Sequence, residues 1–473
     1  MDTFKLPIGT QDFPRLRSEG YVYIDKTRIV YDLLQGGNSY FLSRPRRMGK
    51  SLLLSLLEAL FQGRRELFEG LEIEKTNYAF ESYPVISLDF SRLSSSSPTA
   101  LTSTLNDHLQ CVAEDYQLGE IRQEEASQTL FQLVKLLSRE KRVVLLIDEY
   151  DQPLIDHLGN KTLIAPHRAI LNSFFSMIKS LGPHLQFVLV TGVSKFAKTS
   201  LFSGMNHLRD LSLHRNCATL LGITQHELDE QLGWALERVA TMRGEAIDQT
   251  RDLMRKWYNG YLFSRSSAAL RVYNPLSVML FLEEGEIANY WFSTATPTFA
   301  MELIKRERYP VIAFETGVVA GSEIETSHEI DKIDVTVLLY QTGYLTIKAY
   351  DELTQSYLLQ FPNEEVRRSF FDHLLHLFLD LPSSRSRPYL FQIEQALKEG
   401  NLASFVEEFN SLLTQIPHAI QMAREAYYHS LIYVMLRAIG MEVEAEVMTS
   451  RGRLDMGLVI GNKLYLFEPL IAT

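Results

Sequence analysis

"SRPRRMGKSLLL", Ser43 to Leu54, decides how the first half of this chain folds. It closes on Gly49-Lys50-Ser51 and runs into an apolar segment, Lys50 to Phe61, that reads as a helix; Tyr40 to Ser43 ahead of it reads as a strand. A phosphate-binding loop ends this way. Its backbone N–H groups converge on phosphate oxygens, and the helix N-terminus adds the positive end of its dipole. A lysine and a hydroxyl reach the terminal phosphates and Mg²⁺. Such a loop opens with glycine six residues before the lysine, and that place holds Arg44. The exchange is tolerable where the loop opening avoids positive φ. Arg46, Arg47 and Met48 complete the loop, and the two arginines add positive charge where phosphate would sit. Alone, Gly-Lys-Ser is read equally well as a surface turn before an ordinary helix.

A second stretch decides between the two. "VVLLIDEYD" places Asp148 and Glu149 directly after a wholly apolar run, Val143 to Ile147. Runs of that kind are strands buried on both faces of a parallel sheet, and in open α/β sheets ligands bind beyond the C-terminal strand ends. Asp148 is placed to hold Mg²⁺ through water beside the Ser51 hydroxyl, and Glu149 to polarise the attacking water. Further strands are expected at Tyr83 to Phe90, Phe187 to Thr191 and Ala218 to Gly222, with helices at Thr99 to Tyr116 and Glu124 to Ser138. The strand Tyr83 to Phe90 falls between the two motifs in sequence, the order of nucleotide hydrolases that carry the second acid. Thr191 is a candidate sensor of the γ-phosphate or a strand-capping threonine; Lys195 is a weaker sensor candidate. Alternation of strands and helices predicts an α/β domain over residues 1–222.

The chain has 473 residues, 46% of them hydrophobic and 22% charged, with a net charge of −11, which excludes a uniformly basic nucleic-acid surface. Cys111 and Cys217 lie far apart, so neither a disulfide framework nor a cysteine zinc site is suggested. No signal peptide pattern or membrane-length apolar run is present, so a cytoplasmic protein without a membrane partner is expected. A helical lid region is expected over 223–340. Over 341–420, a helix, a hairpin (Tyr344 to Ala349 with Ser356 to Gln360) and another helix suggest a winged-helix-like unit, with a polar break at Pro382 to Pro388. "KWYNGYLF" (Lys256 to Phe263) reads mainly as an aromatic packing turn. His373 and His376, three apart on a helix, read as structural in the absence of a carboxylate pattern.

Six segments in one order, "YVYIDKT" (Tyr21 to Thr27), "SRPRRMGKS", "LLIDEYDQPL", "TGVSKF", "KWYNGYLF" and "VYNPLSV" (Val272 to Val278), resemble the bacterial AAA-ATPase-like family over nearly the whole chain. The resemblance implies a P-loop NTPase core related to signal-transducing NTPases, and an arginine-rich loop opening is usual there. It also implies a C-terminal PD-(D/E)XK nuclease-like domain, here expected over 421–473. In that tail Gly461-Asn462 makes a two-residue hairpin turn. Counting outward pairs Ile460 with Lys463 and Asp455 with Glu468, two acids that a divalent metal would join. Glu425, on an expected helix Ala423 to Ile439, is a further acid. The family's closing acid-x-lysine is Glu468-Pro469-Leu470 here, so a truncated, degenerate nuclease site without turnover is expected. The function expected is a molecular switch that binds ATP with Mg²⁺ and hydrolyses it slowly. The alternatives are an ATP-gated DNA nuclease and a nucleotide-binding interaction protein without turnover. The sequence leaves a DNA or protein partner and an oligomeric state open.

Overall fold

Tyr40, Phe41 and Leu42 are buried in strand β1 (Ser39–Ser43), an interior strand of a sheet. The computed structural model describes residues 5–121, 125–195, 208–291, 300–301, 303–304, 309, 311–325, 334–379, 381, 383–415, 425–449 and 452–467. β2 (Val85–Asp89), β3 (Val143–Asp148), β4 (Leu185–Gly192) and β5 (Arg209–Asp210) complete a five-stranded sheet in the order β2-β3-β4-β1-β5. Every pairing in it is parallel. All six residues of β3 are buried, as expected of a strand covered on both faces. The helices Lys50–Phe61, Pro98–Asp115, Ala126–Leu137 and Lys161–Ser180 lie between the strands in sequence.

The order positions the site. From β1 the chain crosses to β2 at the sheet edge, then works back through β3 to β4. The strand that lies between β1 and β3 in space is therefore β4, whereas β2 lies between the two motifs only in sequence. Leu42 pairs with Thr191 and Ile147 with Val190, so the C-terminal ends of β1, β4 and β3 lie side by side.

One expected strand is absent. Ala218 to Gly222 is not a strand; the fifth strand is Arg209–Asp210, paired with Tyr40 and Phe41. The run is apolar because it packs, not because it pairs: Ala218, Leu220 and Leu221 are buried. Gly222 then turns at φ +85°, where a Cβ would lie 2.7 Å from Val272 Cγ2. β6 (Ile223–Thr224) follows and pairs antiparallel with β7 (Val272–Tyr273). A short apolar run does not distinguish these outcomes.

The chain divides into two compact units, 1–291 with 319–359, and 292–318 with 360–473. In the first, the helices Gln225–Arg243, Ile247–Tyr258 and Pro275–Glu284 bury Leu228, Leu232, Met254, Val278 and Phe281 in a second core. The helix Val335–Thr342 leads into β9 (Thr346–Asp351) and β10 (Ser356–Gln360), which form a three-stranded sheet with β8 (Val318–Ala320). The second unit carries the helices Glu364–Leu379, Ser383–Glu399, Leu402–Thr414 and Glu425–Ala438. The expected break after Pro382 is instead the start of a helix: Pro388 sits inside its first turns and Ser386 is buried. β11 (Val443–Thr449), β12 (Gly452–Ile460) and β13 (Lys463–Phe467) form an antiparallel sheet. The hairpin register runs from Ile460↔Lys463 to Met456↔Phe467. Glu468 and Leu470 lie outside the described residues, as do the side chains of Glu425 and Asp455. No described helix is long and apolar enough to cross a membrane.

Candidate nucleotide site

Gly49 stands between β1 and the helix Lys50–Phe61 at φ +100°, a left-handed conformation that glycine adopts at little cost. Arg47 adopts the same region at φ +66° without that freedom. Arg44 does not face outward. Its guanidinium is buried, donates to the carbonyls of Ser43, Ser212 and Cys217 at 2.9, 2.7 and 3.1 Å, and lies over the Phe263 ring at 4.1 Å. Burial pushes its pKa down to about 10. Arg44 thus anchors the loop opening in the core. Arg46 is half-buried, with a guanidinium nitrogen 3.2 Å from Gln152 Oε1, and Arg47 is exposed.

Lys50 is buried, and its ammonium donates to the carbonyls of Arg44 and Pro45 at 3.1 and 3.3 Å and pairs with Glu149 Oε1 at 3.3 Å. Those three partners match its three donors. Asp148 gathers the rest. Its Oδ2 accepts the Ser51 hydroxyl at 2.5 Å, and its Oδ1 accepts the Thr191 hydroxyl at 2.5 Å and the Glu149 N–H at 3.0 Å. The structure therefore brings Lys50, Ser51, Asp148, Glu149 and Thr191 together at the ends of β1, β4 and β3. Glu149 sits at φ +47°, and its Oε2 is buried without a hydrogen-bond partner. Burial raises its pKa; Lys50 opposes the rise, while Asp151 and Asp148 add to it.

Directly behind this group Asp151 is buried and closes a link that sequence reasoning missed. Its Oδ2 accepts the N–H and hydroxyl of Ser194, tying the segment after β4 to the turn after β3. Burial raises its pKa, and the Ser194 bonds oppose that rise. Gly192 leaves the room: a Cβ there would lie 2.5 Å from both Asp151 Oδ1 and the Tyr150 ring. The available signal was a third acid, three residues after Asp148.

The residues just described fall within a stretch with known relatives. A sequence profile for the family described as "Predicted AAA-ATPase" matches residues 7–202. An uncharacterized protein from the vnfD 5′ region of Azotobacter chroococcum mcd 1 is 34% identical over 479 residues, covering 99% of this chain and 89% of the relative. The chain belongs to the predicted AAA-ATPase family. The family and the α/β fold with its parallel sheet thus agree with the motif reading, and membership carries the expectation of nucleotide binding and ATPase activity.

Residues of the other family motifs pair and pack within the same unit. In "YVYIDKT", Lys26 bonds both carboxylate oxygens of Glu227 at 2.5 and 2.7 Å. Glu227 also closes the capping box of the helix Gln225–Arg243. Within "KWYNGYLF", the Tyr258 hydroxyl donates to Ala288 O and the Tyr261 hydroxyl to Gly343 O, so the turn packs. Lys195 is buried, with its ammonium 3.0 Å from Asp210 and its N–H on Gln341. His376 lies 3.6 Å from Asp372. Among the described residues, no group of three or more His, Cys, Asp or Glu side chains is placed to hold a metal.

Proposed function

We propose that this chain binds ATP with Mg²⁺ at Arg46–Ser51 and Asp148 and hydrolyses it slowly, as a molecular switch. The observation that carries the reading is the convergence of two hydroxyls and one N–H on Asp148, beside a Lys50–Glu149 pair. The donor set suits a hard cation. The Ser51 hydroxyl spends its one proton on Asp148, which leaves its oxygen lone pairs for a metal. Asp148 Oδ1 already accepts two donors, and Oδ2 keeps capacity for a metal-bound water. When bound, Mg²⁺ neutralises charge on the terminal phosphates.

Lys50 exchanges a present partner for phosphate, and the exchange releases Glu149. Freed, the Glu149 carboxylate accepts a proton from the attacking water. Until nucleotide binds, Glu149 is held by Lys50. Thr191, its proton committed to Asp148, holds that carboxylate in place rather than contacting the γ-phosphate.

The test is phosphate release and calorimetric ATP binding by purified protein with Mg²⁺, against Lys50→Ala. Parent binding that is lost in a folded Lys50→Ala supports the reading, because a buried ammonium on phosphate is not replaced by backbone donors alone. Equal affinity in both proteins removes the site. Supercoiled DNA in the same incubation scores the gated-nuclease alternative; cleavage that stops in Asp455→Ala would put it first.

A further inference from the structure

The loop from Arg44 to Gly49 contains one glycine, yet two of its residues, Arg47 and Gly49, have positive φ. A side chain in that region costs free energy and persists only where the surroundings over-determine the backbone. The surroundings here come from far along the chain. The Arg46 carbonyl accepts the Asn274 Nδ2–H at 3.4 Å and the Trp291 Nε1–H at 3.3 Å. The Met48 carbonyl accepts the Gly222 N–H at 3.3 Å. Pro45 abuts Gly343, where a Cβ would lie 2.6 Å from Pro45 Cβ.

Peptide geometry converts these bonds into directed donors. In a planar trans peptide the C=O and the following N–H point opposite ways. Holding the Arg46 and Met48 carbonyls toward Asn274, Trp291 and Gly222 turns the N–H groups of Arg47 and Gly49 away from those partners. Backbone donors left free in such a loop can line an anion-binding concavity. Asn274 does this with one end of its side chain. The other end, Oδ1, caps the helix Pro275–Glu284 by accepting the N–H of Leu276 and Ser277 at 3.0 and 3.4 Å. The residue is 1% exposed.

We infer that Asn274 is a positioning residue of the nucleotide site: its amide nitrogen, with the Trp291 indole, sets the phosphate-loop backbone for an anion in place of the glycines the loop lacks. The inference rests on the nucleotide reading above and adds the residue that shapes the cradle. Asn274→Asp separates its two roles, because Asp caps a helix as well as Asn does but presents an oxygen to the Arg46 carbonyl. Asn274→Ser keeps a capping hydroxyl, carries no amide donor, and serves if the Asp variant does not fold.

The experiment measures ATP and ADP affinity by calorimetry and steady-state ATPase kinetics in both variants, the parent and Lys50→Ala. Expected is a loss of about tenfold or more in affinity for both nucleotides, with KM raised alike, the effect of one lost hydrogen bond to a strained loop. The kcat at saturating ATP stays within about threefold, since the loss is one of uniform binding. General destabilisation would instead lower the unfolding midpoint and kcat together. Parent-like affinity in the folded Asn274 variants, where the parent binds ATP and Lys50→Ala does not, overturns the inference and leaves the site standing. A parent that binds no nucleotide removes both.

Discussion

Replacing Thr191 by valine asks whether the hydroxyl at the end of β4 serves Asp148 or the substrate. Thr191 is fully buried, and its hydroxyl is 2.5 Å from Asp148 Oδ1. Asp148 is 6% exposed, and its carboxylate accepts from Ser51, Thr191 and the Glu149 N–H. Valine keeps the shape and removes one of these three donors. A hydrogen bond to a charged group contributes about 1.5–3 kcal/mol. The methyl that replaces the hydroxyl returns about 0.8 kcal/mol of burial. The balance is a destabilisation of about 1–2 kcal/mol, already present without nucleotide. In a unit of this size that lowers the thermal midpoint by about 1–3 °C. The assay is thermal unfolding of nucleotide-free Thr191→Val, Thr191→Ser and parent protein, with ATPase rates alongside. Serine, which keeps the hydroxyl, should recover most of the loss. A valine variant with the parent's nucleotide-free midpoint and a reduced kcat would refute the reasoning and return Thr191 to the role of γ-phosphate sensor.

Glu149→Gln should keep ATP affinity and slow hydrolysis by about 10²–10⁴-fold, the usual worth of a general base; parent-like turnover would place the base elsewhere. Burial raises the Glu149 pKa above its ordinary 4.5, and only the deprotonated form accepts a proton. The parent's kcat/KM should therefore fall along an acid limb centred above 4.5, and Glu149→Gln should lack that limb. Gly192→Ala should cost about 1–3 kcal/mol or more by overpacking, because its Cβ would sit 2.5 Å from Asp151 Oδ1; an unchanged midpoint would mean that the Asp151–Ser194 link yields freely. Glu227→Gln should destabilise by about 3 kcal/mol, since it leaves the Lys26 ammonium without its carboxylate. An unfolding midpoint equal to the parent's would show that the pair is dispensable.

Short patterns carried the parts of this protein whose physics is local. The apolar run ending in Asp148-Glu149 is a strand buried on both faces, and Gly49 marks the loop position where φ +100° comes at little cost. The helix Lys50–Phe61, the strands β1 to β4 and the Gly461-Asn462 hairpin were legible for that reason. The role of Ala218 to Gly222 was not, because an apolar run records burial and not the partner that buries it. Nor did the sequence show that β4 separates β1 from β3, which is what brings Thr191 onto Asp148. The sequence placed Arg44 at the loop opening but not its guanidinium, which meets three backbone carbonyls, two of them about 170 residues away along the chain. The bonds from Asn274 and Trp291 to the Arg46 carbonyl span 228 and 245 residues. A carbonyl carries no mark in the sequence of which donor will satisfy it; only the packed chain brings that donor within reach.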